Sequence, residues 1–157
     1  MKILVIGAGA VGGYFGGRLA EAGRDVSFLV RAKHADRIRK QGLRIVSPQG
    51  DVTVHPKVTV SDEIDEHFDL ILLSVKTCGL EAAIDDFSAA VGPNTMIFPM
   101  LNGMRHLDLL VSRFGAAPVI GGVCLCATDL DSNGSVVQLT AVQKLTYGEL
   151  RGGARSG

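Results

Sequence analysis

Gly7-Ala8-Gly9-Ala10-Val11-Gly12 combines residue type and spacing in a way that points to chemistry. The G-x-G-x-x-G spacing follows an apolar run, Lys2 to Ile6, and opens a helical stretch reaching about Ala22. Each glycine has its own reason. Gly7 allows a tight turn, Gly9 lets a pyrophosphate approach the backbone, and Gly12 lets the helix pack closely on the strand. A helix start adds unpaired N–H groups and a partial positive charge, both suited to phosphate. All six residues are therefore candidates for holding a dinucleotide through its pyrophosphate. In a glycine-rich chain the pattern also arises by chance, as a plain strand–helix turn. The buried strand before it and the helix after it favour the ligand reading.

Three further positions bear on that ligand. The next apolar run, Asp25 to Arg31 (DVSFLVR), reads as a second strand. NAD sites usually place an acid at its end, to bond the ribose 2′-hydroxyl. No acid lies between Phe28 and Ala35, and Arg31 stands there instead. A guanidinium can pair with a 2′-phosphate as a bidentate fork, a contact worth roughly 1.5–3 kcal/mol. NADP(H) is therefore favoured over NAD, with Lys33 as a supporting charge; the plain alternative is a solvated arginine at the start of a surface helix. Lys76, in Ser74-Val75-Lys76-Thr77, follows another strand at the end where α/β sheets bind ligands. Asn102, beside Gly103 after the run Thr95 to Phe98, carries a donor and an acceptor together. A loop lysine and a turn-forming Asn-Gly pair are the bland readings of these two.

Other reactive types carry less. Cys124 and Cys126 share a strand face but lack further metal ligands nearby, so they read as small buried hydrophobes. Nothing flags a base beside Cys78. His34, His55, His67 and His106 are scattered singly; His106 follows the Asn102 loop, close to the site in sequence, and reads as a surface helix histidine. The acid run Asp62 to Glu66 reads as a solvated turn or short helix.

The elements that must position these residues alternate. After the second strand comes a charged helix, residues 32–41, closed by Gly42. Residues 43–60 alternate apolar and polar around Pro48-Gln49-Gly50, a hairpin signature. A buried strand at Asp69 to Val75 precedes a helix over 79–91, and Gly92-Pro93-Asn94 turns the chain into the next strand. A helix over 105–114, a strand from Val119 to Ala127, a turn at Ser132-Asn133-Gly134 and strands at Ser135 to Leu139 and 144–147 complete the order. This is an α/β protein, a Rossmann-type doubly wound, mainly parallel sheet with an antiparallel edge. Residues 1–150 form the domain, and the apolar-free 151–157 reads as a linker or truncated tail.

Composition sets the outer limits. The 157 residues suit one domain able to bury its own core. With 46% hydrophobic and 20% charged residues, the chain is not disordered. Sixteen basic residues balance 16 acidic ones, leaving no electrostatic footprint for nucleic acid or anionic membrane. No apolar run is long enough to span a bilayer, and the odd cysteine count suits a reducing, cytoplasmic setting.

MKILVIGAGAVGGYFGGRLAEAGRDVSFLVR, SVKT, LNGM, GGVCLCAT, GSVVQL and YGEL, in this order and spacing, resemble the N-terminal half of the ketopantoate reductase (2-dehydropantoate 2-reductase) family. The resemblance covers nearly the whole chain. It implies a Rossmann domain that binds NADPH, for the reduction of ketopantoate to pantoate on the way to pantothenate and coenzyme A. It implies that Gly7 to Gly12 hold the pyrophosphate and that Arg31 and Lys76 lie along the adenosine phosphate. Asn102 then sits where cofactor and substrate meet, and Ala127 touches the nicotinamide end through its backbone. The family's catalytic lysine and carboxylate belong to a C-terminal all-helical domain absent from these residues. No catalytic residue is therefore expected in this chain, and it is expected to be inactive alone. The expected partner is a ketopantoate-like 2-keto acid, with no nucleic acid or membrane; a homodimer is compatible with the sequence. The rival readings are an NADP-dependent reductase of another small ketoacid or alcohol, an NADP(H)-sensing module without chemistry, and an interaction domain that binds no dinucleotide.

Overall fold

The computed structural model describes residues 1–75, 79–100 and 105–149. The central sheet has five parallel strands in the order β5-β2-β1-β6-β7. These are β1 (Lys2–Ile6), β2 (Asp25–Leu29), β5 (Lys57–Thr59), β6 (Phe68–Leu73) and β7 (Val91–Pro99). The chain builds outward from β1 through β2 to β5, then returns to place β6 on the other side of β1. The strand order therefore reverses between β1 and β6, the switch point at whose C-terminal end such sheets take ligands.

The strands of this sheet are apolar because both faces are covered. In β1, Ile3 and Val5 enter one core with Phe28, Tyr14, Ile45 and Val136. Leu4 and Ile6 enter the other, with Ile71, Leu73, Ile84, Phe87, Ile97 and Leu110. The second core is covered by helices α3 (Leu80–Phe87) and α4 (Arg105–Phe114), whose Phe87 and Phe114 rings stack at 5.6 Å.

A second, four-stranded sheet has the order β4-β3-β9-β8, made of β3 (Leu43–Val46), β4 (Val52–Val54), β8 (Ile120–Leu130) and β9 (Val136–Glu149). The antiparallel edge expected from the sequence takes this form. Helix α1 (Ala10–Glu21) lies between the two sheets, and its glycines mark both contacts. A Cβ on Gly16 would come within 2.5 Å of Phe28, in the central sheet; one on Gly17 would meet Ile45 at 2.5 Å, and one on Gly13 would meet Val136 at 2.7 Å, both in the second sheet. Interior glycine costs a helix up to ~1 kcal/mol per residue, so α1 is held by this packing rather than by propensity. Arg18 fastens the β3–β4 turn to α1, donating to Ser47 Oγ at 2.5 Å and to the Gly50 carbonyl at 2.9 Å. Helix α2 (Ala32–Gln41) is tied to the β8–β9 turn by Arg37, which donates to the Asn133 carbonyl at 3.2 Å.

Several boundaries differ from the sequence expectation. The hairpin over 43–60 is only β3 and β4; β5 leaves it and joins β2 in parallel. Pro56, between β4 and β5, has no N–H to extend the antiparallel ladder. Strand β2 stops at Leu29 because Arg31 already caps the next helix. Gly92-Pro93-Asn94 is not a turn before β7 but an irregularity inside it, where the register shifts between Phe68 and Leu70. Thr95 stabilises it, donating to the Phe68 carbonyl at 2.6 Å and accepting from Gly92 N at 2.8 Å. The helix expected over 79–91 is α3 followed by a 3-10 turn, Ser88–Ala90. The two last strands are one: residues 140–143 contain no turn former, and the β8 ladder runs past them. Among the described residues no helix is long and apolar enough to cross a membrane.

Candidate functional site

The loop after β1 is held from both sides. Gly7 has φ 86°, which favours glycine, and its N–H donates to the Leu29 carbonyl of β2 at 2.9 Å. On the other side the Ile6 carbonyl accepts from Ser74 N at 3.3 Å and Ser74 Oγ at 2.9 Å, just past the end of β6. The loop thus sits at the switch point, clamped between both neighbours of β1.

Gly12 is required by contact. A Cβ there would lie 2.0 Å from Ser74 Oγ and 2.6 Å from the Gly7 carbonyl oxygen. The sequence reading assigned Gly12 to helix–strand packing; the structure makes the partner the residue ending β6 and the loop itself. Gly9 is different. It caps α1 with φ −76° and ψ −164°, a conformation open to any L residue, and among the described residues a Cβ there would meet nothing within 4 Å. Neither its backbone angles nor its described neighbours demand glycine at this position.

Ala8 is buried, while Ala10 and Val11 are half-buried at the loop surface. The first turn of α1 contains no acidic residue and no side chain caps it. The intrahelical bonding begins at Gly13, whose N–H donates to the Gly9 carbonyl at 2.7 Å. The preceding N–H groups of Ala10, Val11 and Gly12 lack intrahelical partners, as helix geometry dictates. The donor set suits a diphosphate: backbone N–H, a helix start and no competing carboxylate.

Arg31 stands at the same edge of the sheet. Ile6 and Leu29 are register partners, so the loops leaving β1 and β2 emerge side by side. Arg31 caps α2 with its carbonyl, which accepts from Ala35 N at 2.9 Å, and its side chain is exposed. It is in none of the ion pairs found among the described residues. Lys33 is exposed beside it.

Lys76 and Asn102 lie outside the described residues. The strands leading to them end at this same edge: Ile6 pairs with Leu73, and Leu73 with Pro99. Ala127 lies in the second sheet, on β8, exposed at a register shift between Cys126 and Thr128. Helix α1 packs on β8.

Two residues depart from their sequence reading or escaped it. His106, expected at the surface, is buried at 5% exposure, and burial holds its pKa below the usual imidazole value. It precedes the fully buried Leu110 by four positions and so falls on the core stripe of α4. Ser74, in the same motif as Lys76, carries no local signal of its role. Its hydroxyl function depends on which strand lies beside β1, which no local pattern reveals. As expected, the acidic segment begins as an exposed 3-10 turn, Ser61–Glu63. Among the described residues no cluster of potential metal ligands occurs.

The ketopantoate reductase PanE/ApbA family matches residues 3–152. The chain is 40% identical over 152 residues to the uncharacterized oxidoreductase YkpB of Bacillus subtilis, covering 97% of this chain and 50% of that protein. A crystal structure of 2-dehydropantoate 2-reductase from Geobacter metallireducens superposes with TM-score 0.86 at 33% identity, over 95% of this chain and 49% of that one. The ternary structure of D-mandelate dehydrogenase with NADH and anilino(oxo)acetate also gives TM-score 0.86, at 26% identity, over 96% of this chain and 49% of that one. The chain spans about half the length of the relatives it matches. With a family match over almost all of its length and the matching fold, this chain belongs to the ketopantoate reductase PanE/ApbA family of oxidoreductases.

Proposed function

We propose that residues 1–150 are the NADP(H)-binding domain of a 2-keto acid reductase of the ketopantoate type, with 151–157 a linker beyond it. The observation that carries this reading is Gly9, a glycine that neither its backbone angles nor its neighbours among the described residues require. The pyrophosphate lies against Gly7 to Gly12, accepting from the N–H groups at the start of α1. Arg31 pairs with the 2′-phosphate, and Lys76 supports the adenosine side. Asn102 bonds both cofactor and substrate, and the Ala127 backbone meets the nicotinamide end. When bound, the reduced nicotinamide supplies the hydride for the keto carbon. The oxygen of the broken C=O π bond takes its proton from a group outside this chain. This chain holds and orients; it is inactive alone. The setting is the cytoplasm, and the partners are a small 2-keto acid and a second copy of the chain.

The likeness to D-mandelate dehydrogenase favours a second reading, a reductase of a different small 2-keto acid that uses NADH. Titration of the chain with NADPH and NADH, by calorimetry or nicotinamide fluorescence, separates the two. The first reading expects NADPH to bind tighter and Arg31→Ala to remove about ten- to a hundredfold of that affinity, leaving NADH unchanged. Equal affinity for both in the parent chain rejects the NADP assignment. No binding of either rejects the dinucleotide site.

A further inference from the structure

We propose that Ser74 is a positioning residue of the dinucleotide site. Its hydroxyl sets the glycine loop and the first turn of α1 in the shape that receives a pyrophosphate. The inference rests on the dinucleotide reading above and adds to it a residue that touches no ligand.

Ser74 is the first residue past β6, facing the loop that ends β1. Its Oγ donates to the Ile6 carbonyl at 2.9 Å, and the Gly7 carbonyl lies 3.4 Å away. Its backbone N–H reaches the same Ile6 oxygen at 3.3 Å. Both lone pairs of that carbonyl are therefore engaged by one residue. The peptide joining Ile6 to Gly7 is fixed from the β6 side by Ser74 and from the β2 side through Gly7 N and the Leu29 carbonyl, at 2.9 Å. Fixing it fixes the direction in which the following N–H groups point.

The hydroxyl has a second effect. It occupies the space a Cβ on Gly12 would fill, at 2.0 Å from that position. The first turn of α1 thus rests on Ser74 Oγ and on the Gly7 carbonyl. A phosphate bound at a helix start depends on the aim of N–H groups that precede the first intrahelical bond, the groups with least restraint from the helix itself. Ser74 supplies that restraint. An apolar residue of similar size would fill the space without holding the carbonyl. A larger one would push the helix start away from the loop.

The test is calorimetric titration of the parent chain, Ser74→Ala and Ser74→Cys with two probes. NADPH carries the pyrophosphate; adenosine 2′-monophosphate keeps the ribose 2′-phosphate and has no phosphate on the 5′ oxygen. Alanine removes the hydroxyl and leaves a gap, whereas cysteine fills that gap with a larger and much weaker donor. Both variants are expected to bind NADPH about tenfold more weakly and adenosine 2′-monophosphate within about twofold of the parent. Gly12→Ala alone and combined with Ser74→Ala completes a cycle. The paired loss is expected to fall short of the product of the single losses by at least about threefold, because both changes act on one contact. Ser74 variants that keep parent affinity for NADPH, or lose affinity for both probes equally, overturn the inference while leaving the dinucleotide site intact. A parent chain that binds neither probe overturns the dinucleotide reading and this inference with it.

Discussion

Replacing Gly9 by alanine separates what the protein needs from what a ligand needs. The backbone at Gly9, φ −76° and ψ −164°, accepts a Cβ without strain, and no atom of the described residues beyond its own neighbours lies within 4 Å of where it would stand. Removing glycine's freedom in the unfolded chain favours the variant by ~0.4–1 kcal/mol. Alanine is the poorer N-cap, by a comparable amount of roughly 0.5–1 kcal/mol. The two offset, so folding stability should stay within about 0.5 kcal/mol of the parent, or roughly 1–2 °C in thermal midpoint for a chain this size. Gly12→Ala is the contrasting control. Its Cβ would stand 2.0 Å from Ser74 Oγ and 2.6 Å from the Gly7 oxygen, so it should cost ~1–3 kcal/mol as an overpacked contact. NADPH affinity should fall at least about tenfold in both variants, ~1.4 kcal/mol or more. Thermal unfolding without ligand and titration with NADPH provide the two readings. A Gly9→Ala chain that binds NADPH as the parent does refutes the argument that this glycine is kept for a ligand. One that unfolds much earlier refutes the claim that the protein itself does not need it.

Further outcomes follow from charge and burial. His106 and His34 both have pKa values lowered by burial, with Arg37 adding to the effect at His34. The unfolded chain therefore binds more protons just below pH 6.5, and stability should rise with pH through that window, by at most ~1.4 kcal/mol per pH unit per histidine. Denaturant midpoints between pH 5 and 8 test this, and His106→Phe should flatten the profile; an unchanged slope would show that its burial carries no proton linkage. Gln138 is 3% exposed and, among the described residues, neither its amide oxygen nor its nitrogen has a partner, and the buried Thr128 hydroxyl opposite finds none there either. Gln138→Leu should raise stability by about 1 kcal/mol, since an unmade buried hydrogen bond costs ~1–3 kcal/mol. A lower thermal midpoint would mean that the amide is satisfied in solution.

The local signals in this sequence were readable because they are properties of the chain at a point. Gly7 sits at positive φ, a helix begins at Ala10, and Arg31 stands at the end of β2 where an acid would mark NAD. Backbone conformation and side-chain charge need no knowledge of distant segments. The alternating strands and helices likewise fixed the parallel class of the central sheet. Pro56, by contrast, falls inside the hairpin expected over 43–60, and only the pairing of β5 with β2 places it outside one. The single strand β9 became visible only against the ladder of β8.

The sequence by itself determined that a glycine loop follows a buried strand, that a cation rather than an acid follows the next one, and which family's motifs these are. Only the tertiary structure decided what each glycine of α1 is for. Gly16 admits the central sheet, Gly13 and Gly17 admit the second sheet, Gly12 admits Ser74, and Gly9 admits nothing among the described residues. It alone decided that His106 faces the core and that Ser74 holds the loop. The physical reason is common to all of these. A residue's type states which contacts it permits, but strand order and helix placement choose which contact is made, and those follow from burying both faces of one sheet at once.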